Sequence, residues 1–429
     1  MSAPQTNDSF PSTVAPRSGR AIGLTVVVAA LGYFVDIYDL ILFNVVRVKS
    51  LESLGLSGEA ILLEGAHILK LQMIGMLLGG LLWGILGDLR GRLSVLFGSI
   101  LLYSLANIAN GMLSTLAELF GADPVSLYAW IRFIAGVGLA GELGAGITLV
   151  GESMKKENRG IGTTVVATVG ICGAMVAVAV GKNASWQLSY FIGGGLGLGL
   201  LLLRIGVMES GLFEGVKTAA KVSRGNFFML FSNWSRVRRY VSIILVGVPI
   251  WYVIGVLVTF APELGKAAGM DPLPSAPDAV MASYLGLAIG DFGSGFLSQI
   301  FRNRRKILSA FLVATAVGVG LYFTVATHSI FTFYAVVFFL GIAAGYWAVF
   351  VTTASELFGT NLRATVTTTA PNFVRGAVAL ITPAFLTLRT SYGATTAALS
   401  LGVITLTIAF IALRGIDETF GRDLNFVEE

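Results

Sequence analysis

Asp36 and Asp39 stand three residues apart in the stretch AIGLTVVVAALGYFVDIYDLILFNVV, from Ala21 to Val46, which is otherwise apolar and long enough to cross a bilayer. An ionisable side chain at membrane depth costs roughly 2.5 kcal/mol or more, so it faces a polar pathway and serves a purpose there. Two such acids on neighbouring turns predict a proton or substrate site. A carboxyl shielded from water takes up a proton more readily, which suits loading and unloading across a modest pH difference. Three further charges belong to the same inventory: Arg132, Glu142 and Arg375. Ten residues of straight helix separate Arg132 from Glu142 by roughly 15 Å, too far for a direct pair. Asp36 or Asp39 is the expected partner of Arg132, either as a structural ion pair or as part of the site. Arg375, in the middle of APNFVRGAVALITP, cannot snorkel to an interface, so it should face the interior, where its planar fork could grip a substrate carboxylate.

The elements that must position these groups are membrane helices. Of 429 residues, 55% are hydrophobic and only 12% charged, and mean hydropathy is +0.81. A soluble chain would carry about twice that charge. Apolar runs predict twelve spans, at 21–46, 66–87, 93–115, 127–150, 160–180, 187–208, 241–263, 279–301, 306–327, 330–354, 365–387 and 393–414. The net charge of +5 lies in short loops, not in a basic patch on a soluble fold, so no nucleic-acid partner is expected. One set of loops holds Arg90 and Arg92, then Lys155, Lys156 and Arg159, then Arg204 to Arg239, then Arg302 to Lys306, then Arg363; the other holds only Arg47, Lys49, Lys182, Lys266 and Arg389. This asymmetry places the first set and both termini in the cytoplasm of a cell whose inner (plasma) membrane the chain crosses many times.

The longest interior connection, about Glu209 to Tyr240, divides the spans six and six. The expected organisation is a disordered cytoplasmic tail at 1–20, a six-helix half at 21–208, a central cytoplasmic loop at 209–240, a second six-helix half at 241–414, and a cytoplasmic tail at 415–429. The halves echo each other: Glu152 and Arg159 follow span 4, Glu356 and Arg363 follow span 10, and 356 − 152 = 363 − 159 = 204. A half-length repeat of this kind is typical of alternating-access transporters, with the site between the halves near the midplane.

On these residues the chain resembles the major facilitator superfamily from about Ala21 to its end. GILGDLRGRL resembles that family's signature loop between helices 2 and 3, supplying Gly84, Asp88, Gly91 and Arg92, although Leu89 and Leu93 stand where basic residues are usual. Within the family the pattern is most similar to metabolite:proton symporters. Asp36, Tyr38 and Asp39 match their first helix, Arg132, Gly141, Glu142 and Glu152 their fourth, Glu209 and Phe213 the end of their sixth, and Asn372 an Asn of their eleventh. Gly359 replaces a usual Pro, Arg375 is outside the pattern, and ETFGRDL is closer to a sugar-porter ending. The resemblance implies an all-α membrane protein of two pseudo-symmetric six-helix halves. With the residues read above it gives Asp36, Asp39 and Glu142 as expected proton-coupling residues, Arg132, Arg375, Asn372 and Tyr38 as expected substrate-binding residues, Arg375 on its mid-span position alone, and Gly84, Asp88, Gly91, Arg92, Glu152, Arg159, Glu356 and Arg363 as expected gating residues, with charge pairs across the halves in one state.

Other chemistries are excluded on sequence. Cys172 is the single cysteine, and His67 and His328 lie far apart, so neither a disulfide framework nor a metal site is expected. GGGLGLGL at 193–200 lies inside a span with no phosphate-loop Lys after it, and no ATP-hydrolysis motif or catalytic set is present. The chain reads as no enzyme and needs no cofactor; its partners are a small molecule, protons and the lipid bilayer, and a monomer is expected. Both signs in the cavity suit proton-driven symport of a small anionic or zwitterionic metabolite, an organic acid above all. A facilitator or exporter of sugars or neutral, lipophilic compounds is the alternative, and a non-transporting sensor a more distant one.

Overall fold

A lipid interior offers the backbone no water, so a spanning chain must satisfy its N–H and C=O groups within its own helices. The structure, a computed structural model, describes residues 19–90, 92–154, 159–209 and 227–422 together with 426 and 428. Within them run twelve helices long and apolar enough to cross a membrane: α1 Gly23–Ser53, α2 Glu59–Leu86, α3 Ser94–Gly111, α4 Pro124–Gly144, α5 Ile161–Asn183, α6 Trp186–Ile205, α7 Trp234–Val258, α8 Ala276–Ile300, α9 Arg304–His328, α10 Ile330–Glu356, α11 Asn361–Tyr392 and α12 Ala394–Leu413. No strand occurs among the described residues. The expected tail at 1–20 and the central loop at 209–240 fall largely outside them.

Helix starts are written in the sequence. Asp123 caps α4 by accepting from Ser126 N at 2.8 Å, with Pro124 in the first turn. Asn303 and Ser329 do the same for α9 and α10. Several helices outrun the expected spans. The first expected run ends at 46 but α1 reaches Ser53, and the second begins at 66 but α2 starts at Glu59. Hydropathy measures the lipid slab, whereas a helix continues wherever neighbours pack against it, and Arg47 and Ser50 in the α1 extension are fully buried.

Four helices are interrupted where the interior is polar, α11 for the single residue Ala377, just past Arg375. In α4 the regular helix stops at Leu139 and restarts at Glu142. In α10 it stops at Ala344 and restarts at Trp347, with Gly345 and Tyr346 out of helical conformation. The two interruptions obey the half-length repeat, since 345 − 141 = 204 for Gly345 and Gly141. In α7 a π-helical turn, Val253–Val258, follows Pro249 and frees backbone groups that side chains then bind.

Across the halves α2 packs on α11 and α5 on α8. Small residues allow the closest approaches within each half. A Cβ on Gly75 or Gly79 would collide with backbone of α4, and one on Gly286 or Gly290 with backbone of α10. For orientation, the near end is where α1 begins and α12 finishes, and the far end is opposite.

Candidate functional site

The middle of the bundle holds four acids, Asp36, Asp39, Glu142 and Asp291, and three arginines, Arg132, Arg204 and Arg375, none more than 5% exposed; Arg47, Arg236 and Arg304 are as buried but lie toward the ends, with Glu263, Glu428 and Glu356. The interruptions and the face of α1 that points inward bring them together. Arg132 of α4 is saturated: Nη1 donates to Asp39 Oδ1 at 2.9 Å and to Asn107 Oδ1 at 3.2 Å, Nη2 to the Asp39 carbonyl at 3.1 Å, and Nε to Gln72 Oε1 at 3.3 Å. Its guanidinium also lies over the Tyr190 ring, 5.4 Å from the centroid. Of the two acids expected as its partner, Asp36 and Asp39, Arg132 therefore takes Asp39, and the pair lies wholly within the first half.

Arg375 of α11 is likewise without exposure, and its acid comes from the opposite half. Nη1 meets Asp36 Oδ2 at 3.4 Å and Nη2 meets Tyr33 Oη at 3.3 Å. Three rings surround the guanidinium, with centroids at 5.8 Å for Tyr33, 5.9 Å for Trp251 and 5.5 Å for Trp347. Asp36 Oδ1, Arg375 Nε and Trp347 Nε1 are buried without hydrogen-bond partners. A long ion pair flanked by unpartnered donors and acceptors is chemically receptive: a planar anion entering here finds a fork, an indole N–H and aromatic faces.

Glu142 opens the second segment of α4, and Arg204 of α6 holds both of its oxygens, one at 3.0 Å from Nη1. Reading Arg204 as a loop cation is thereby corrected. It sits inside the bundle at 5% exposure, because Glu142 and the Val28 carbonyl give its fork partners there. Two residues read as substrate-binding have their polar groups engaged within the protein. Tyr38 Oη donates to the Ser189 carbonyl at 2.9 Å. Asn372 Nδ2 donates at 2.8 Å to the Ala140 carbonyl, freed by the α4 interruption, and to the Thr368 carbonyl.

Asp291 was not singled out from sequence as an interior acid. It is fully buried in mid-α8, and its Oδ1 accepts from Ala348 N at 2.6 Å, closing the restarted segment of α10 as a cap would. Its own span, LGLAIGDFGSGF, carried the signal: an acid in an apolar run, as with Asp36. Tyr33 and Trp251 gave none, since aromatic residues in spans are usually packing residues.

The far end is bound across the halves by three ion pairs. Arg47 of α1 reaches Glu263 beyond α7 at 2.7 Å and the Thr259 carbonyl at 3.2 Å, Lys182 of α5 reaches Asp278 of α8 at 2.6 Å, and Arg389 of α11 reaches Glu59 of α2. At the near end Glu356, expected to pair across the halves, is instead held by Arg304 at 2.7 and 2.9 Å within its own half, because α9 starts beside the end of α10. Arg363 donates to the carbonyls of Ser355 and Phe358. Gly84 faces Thr369 of α11 across the halves. The side chains of Asp88, Arg92, Glu152 and Arg159, and Gly91 itself, lie outside the described residues. Beyond α12, burial pushes the Glu418 carboxyl up, but backbone N–H donors of Arg304, Phe420, Arg305 and Thr419 outweigh it and hold the group below the usual carboxylate range.

Comparison with known proteins agrees with this geometry. A family model described as Major Facilitator Superfamily matches residues 29–383. NiaP of Bacillus subtilis (strain 168), named for niacin/nicotinamide transport, is 25% identical over 354 residues, 81% of this chain and 84% of that one. The 3-(3-hydroxy-phenyl)propionate transporter of Escherichia coli (strain K12) is 31% identical over 167 residues, 36% of this chain and 37% of its own. Among solved structures, the proton:xylose symporter XylE bound to 6-bromo-6-deoxy-D-glucose matches with a TM-score of 0.70 at 17% identity, covering 95% of this chain and 98% of that one, a likeness of fold.

Proposed function

The chain belongs to the Major Facilitator Superfamily and is a multi-pass membrane transporter, and from that premise we propose that it carries a small organic acid together with protons. The observation that carries this reading is the Arg375–Asp36 pair, 3.4 Å long, fully buried and shared between the halves. A substrate carboxylate competes with Asp36 for the Arg375 fork, where bidentate geometry favours it over a single long contact. Asp36, once released in a dry interior, is stabilised by a proton, so anion and proton enter as a neutral set. Because Arg375 and Asp36 belong to opposite halves, occupancy also changes how firmly the halves hold each other, which is the coupling that alternating access requires.

The rings of Tyr33, Trp251 and Trp347 favour a flat acid, and relatives named for niacin and 3-(3-hydroxy-phenyl)propionate support that choice. Asp39 and Glu142, each held by an arginine, serve as the fixed counter-charges of the first half in this reading. Asn372 and Tyr38 hold the walls of the cavity together. The basic near end faces the cytoplasm across the inner membrane, and Asp88, Arg92, Glu152 and Arg159 gate that end with Glu356 and Arg363.

Purified protein in proteoliposomes tests the proposal, with radiolabelled nicotinate, benzoate, a neutral sugar and an amino acid offered with and without an inward proton gradient. Accumulation of an aromatic acid above equilibrium only when the gradient is imposed is the expected result. Gradient-insensitive equilibration of a neutral solute would sink the symport reading.

A further inference from the structure

We propose that Asp291 is a second proton-binding site, separate from the Asp36–Arg375 pair and occupied while the cavity is closed. The inference rests on the symport reading only for what the proton does; that a proton is there follows from charge and geometry. Each of the other three interior acids has its own arginine: Asp36 has Arg375, Asp39 has Arg132 and Glu142 has Arg204. Asp291 has none among the described residues, so four acids face three cations and one acid is in excess.

The surroundings of Asp291 offer nothing else to hold a charge. From α1 the titratable group facing it is Tyr33, which is turned to Arg375. From α10 it is Tyr346, whose hydroxyl donates to the Val246 carbonyl at 2.9 Å. On its own helix Tyr284 lies two turns away, and on α5 the side chains are Thr164, packed at Gly295, with Cys172 farther along the helix and half-exposed. Arg304 of α9, the nearest basic residue toward the near end, is committed to Glu356 and to Ser298 Oγ at 2.9 Å. The donors to Asp291 are backbone N–H groups alone, Ala348 on Oδ1 with Trp347 beside it; Oδ2 is buried and unpartnered. Backbone donors at one end of the group do not offset the cost of an ionised carboxylate at this depth, whereas a proton on Oδ2 removes the charge and leaves the Oδ1 contact intact.

Position gives the site a use. Asp291 sits where α8 and α10 touch, since a Cβ on Gly345 would collide with the backbone of Gly290 and Asp291. The segment it closes begins at Trp347, one wall of the Arg375 site. Loss of the proton therefore acts directly on the piece of helix that carries that wall. With a bound mono-anion the interior holds five negative groups against three arginines, and neutrality requires two protons, one on Asp36 and one on Asp291.

Infrared difference spectroscopy of the full-length protein in lipid, without substrate, reads this directly. Wild type minus Asp291→Asn at neutral pH should contain the carbonyl stretch of a protonated carboxylic acid; Asp36→Asn and Asp39→Asn should leave that band in place, and Asp291→Glu should shift it. Asparagine keeps the acceptor for Ala348, so the fold is preserved. Absence of the band from the Asp291→Asn difference, or its loss in Asp36→Asn instead, overturns the proposal. Because the band is read without flux, wild-type transport that ignores the proton gradient would sink symport and leave this site standing, while gradient-driven transport with no Asp291 band would do the reverse.

Discussion

The two halves handle interior charge differently. The first half pairs all but one of its interior acids within itself: Asp39 with Arg132 and Glu142 with Arg204 are pairs between α1, α4 and α6, tight and multiply hydrogen-bonded, and only Asp36 pairs outside it. The second half contains one cation whose acid is in the other half and one acid with no cation, Arg375 and Asp291. Pairs closed within one half can move with it as a rigid body, because they need not re-pair; Asp36 is the one interior acid of the first half that must. A half that is incomplete depends on what the cavity contains. The lesson is that symmetric topology need not mean symmetric function: here the first half supplies the frame and the second the groups that respond.

The largest expected effect tests that division at its strongest pair. Arg132→Ala leaves Asp39 buried without a counter-charge and should cost about 3–5 kcal/mol, seen as a collapse of thermal stability in detergent. Asp39→Leu combined with Arg132→Met should recover much of that loss, since well-packed apolar groups can replace a buried pair. An Arg132→Ala protein as stable as its parent would end the idea of a rigid first half. Next in size is the responsive side. Arg375→Lys keeps the charge but loses the fork and should weaken apparent affinity for a carboxylate about tenfold, with Arg375→Ala weaker still and thermal stability much less affected than in Arg132→Ala. Unchanged affinity and flux in Arg375→Ala would remove it from the site.

The smallest effects belong to the far end. Lys182 and Asp278 are 46% and 42% exposed, so Lys182→Gln should change closure by no more than about 1 kcal/mol and lose even that in high salt. Arg47→Gln breaks a contact whose cation is fully buried and should raise maleimide labelling of a Leu51→Cys reporter several-fold, in a Cys172→Ala background. Equal labelling in the two variants would mean that burial does not rank these contacts.

Much of this was legible in sequence because lipid restricts the alternatives. A long apolar run containing Asp36 and Asp39 has few readings, and the 204-residue repeat exposed the two halves before any coordinates. The Arg132–Asp39 pair followed from the need of each for a partner. What was not legible depended on three-dimensional neighbours. Arg204 lies near the end of a span, and only the position of Glu142 in the α4 interruption shows that it turns inward. Glu356 has the spacing for Arg363, but α9 begins close enough for Arg304 to take it. Asp291 was legible in principle, since an acid inside the apolar run LGLAIGDFGSGF carries the same signal as Asp36, but only the structure shows that it lies within the helix facing Ala348.

The interruption of α10 has a mechanical consequence. A rod broken at its midpoint is two levers, and the far lever, Ile330–Ala344, is locked to α8 by the close contacts at Gly286 and Gly290. The near lever, Trp347–Glu356, carries a wall of the Arg375 site at one tip and the acid of the Arg304 latch at the other. Ten residues of helix span roughly 15 Å. Across that distance, a displacement of the wall at Trp347 reaches the Glu356–Arg304 contact as movement of a single stiff body, with no relay between them.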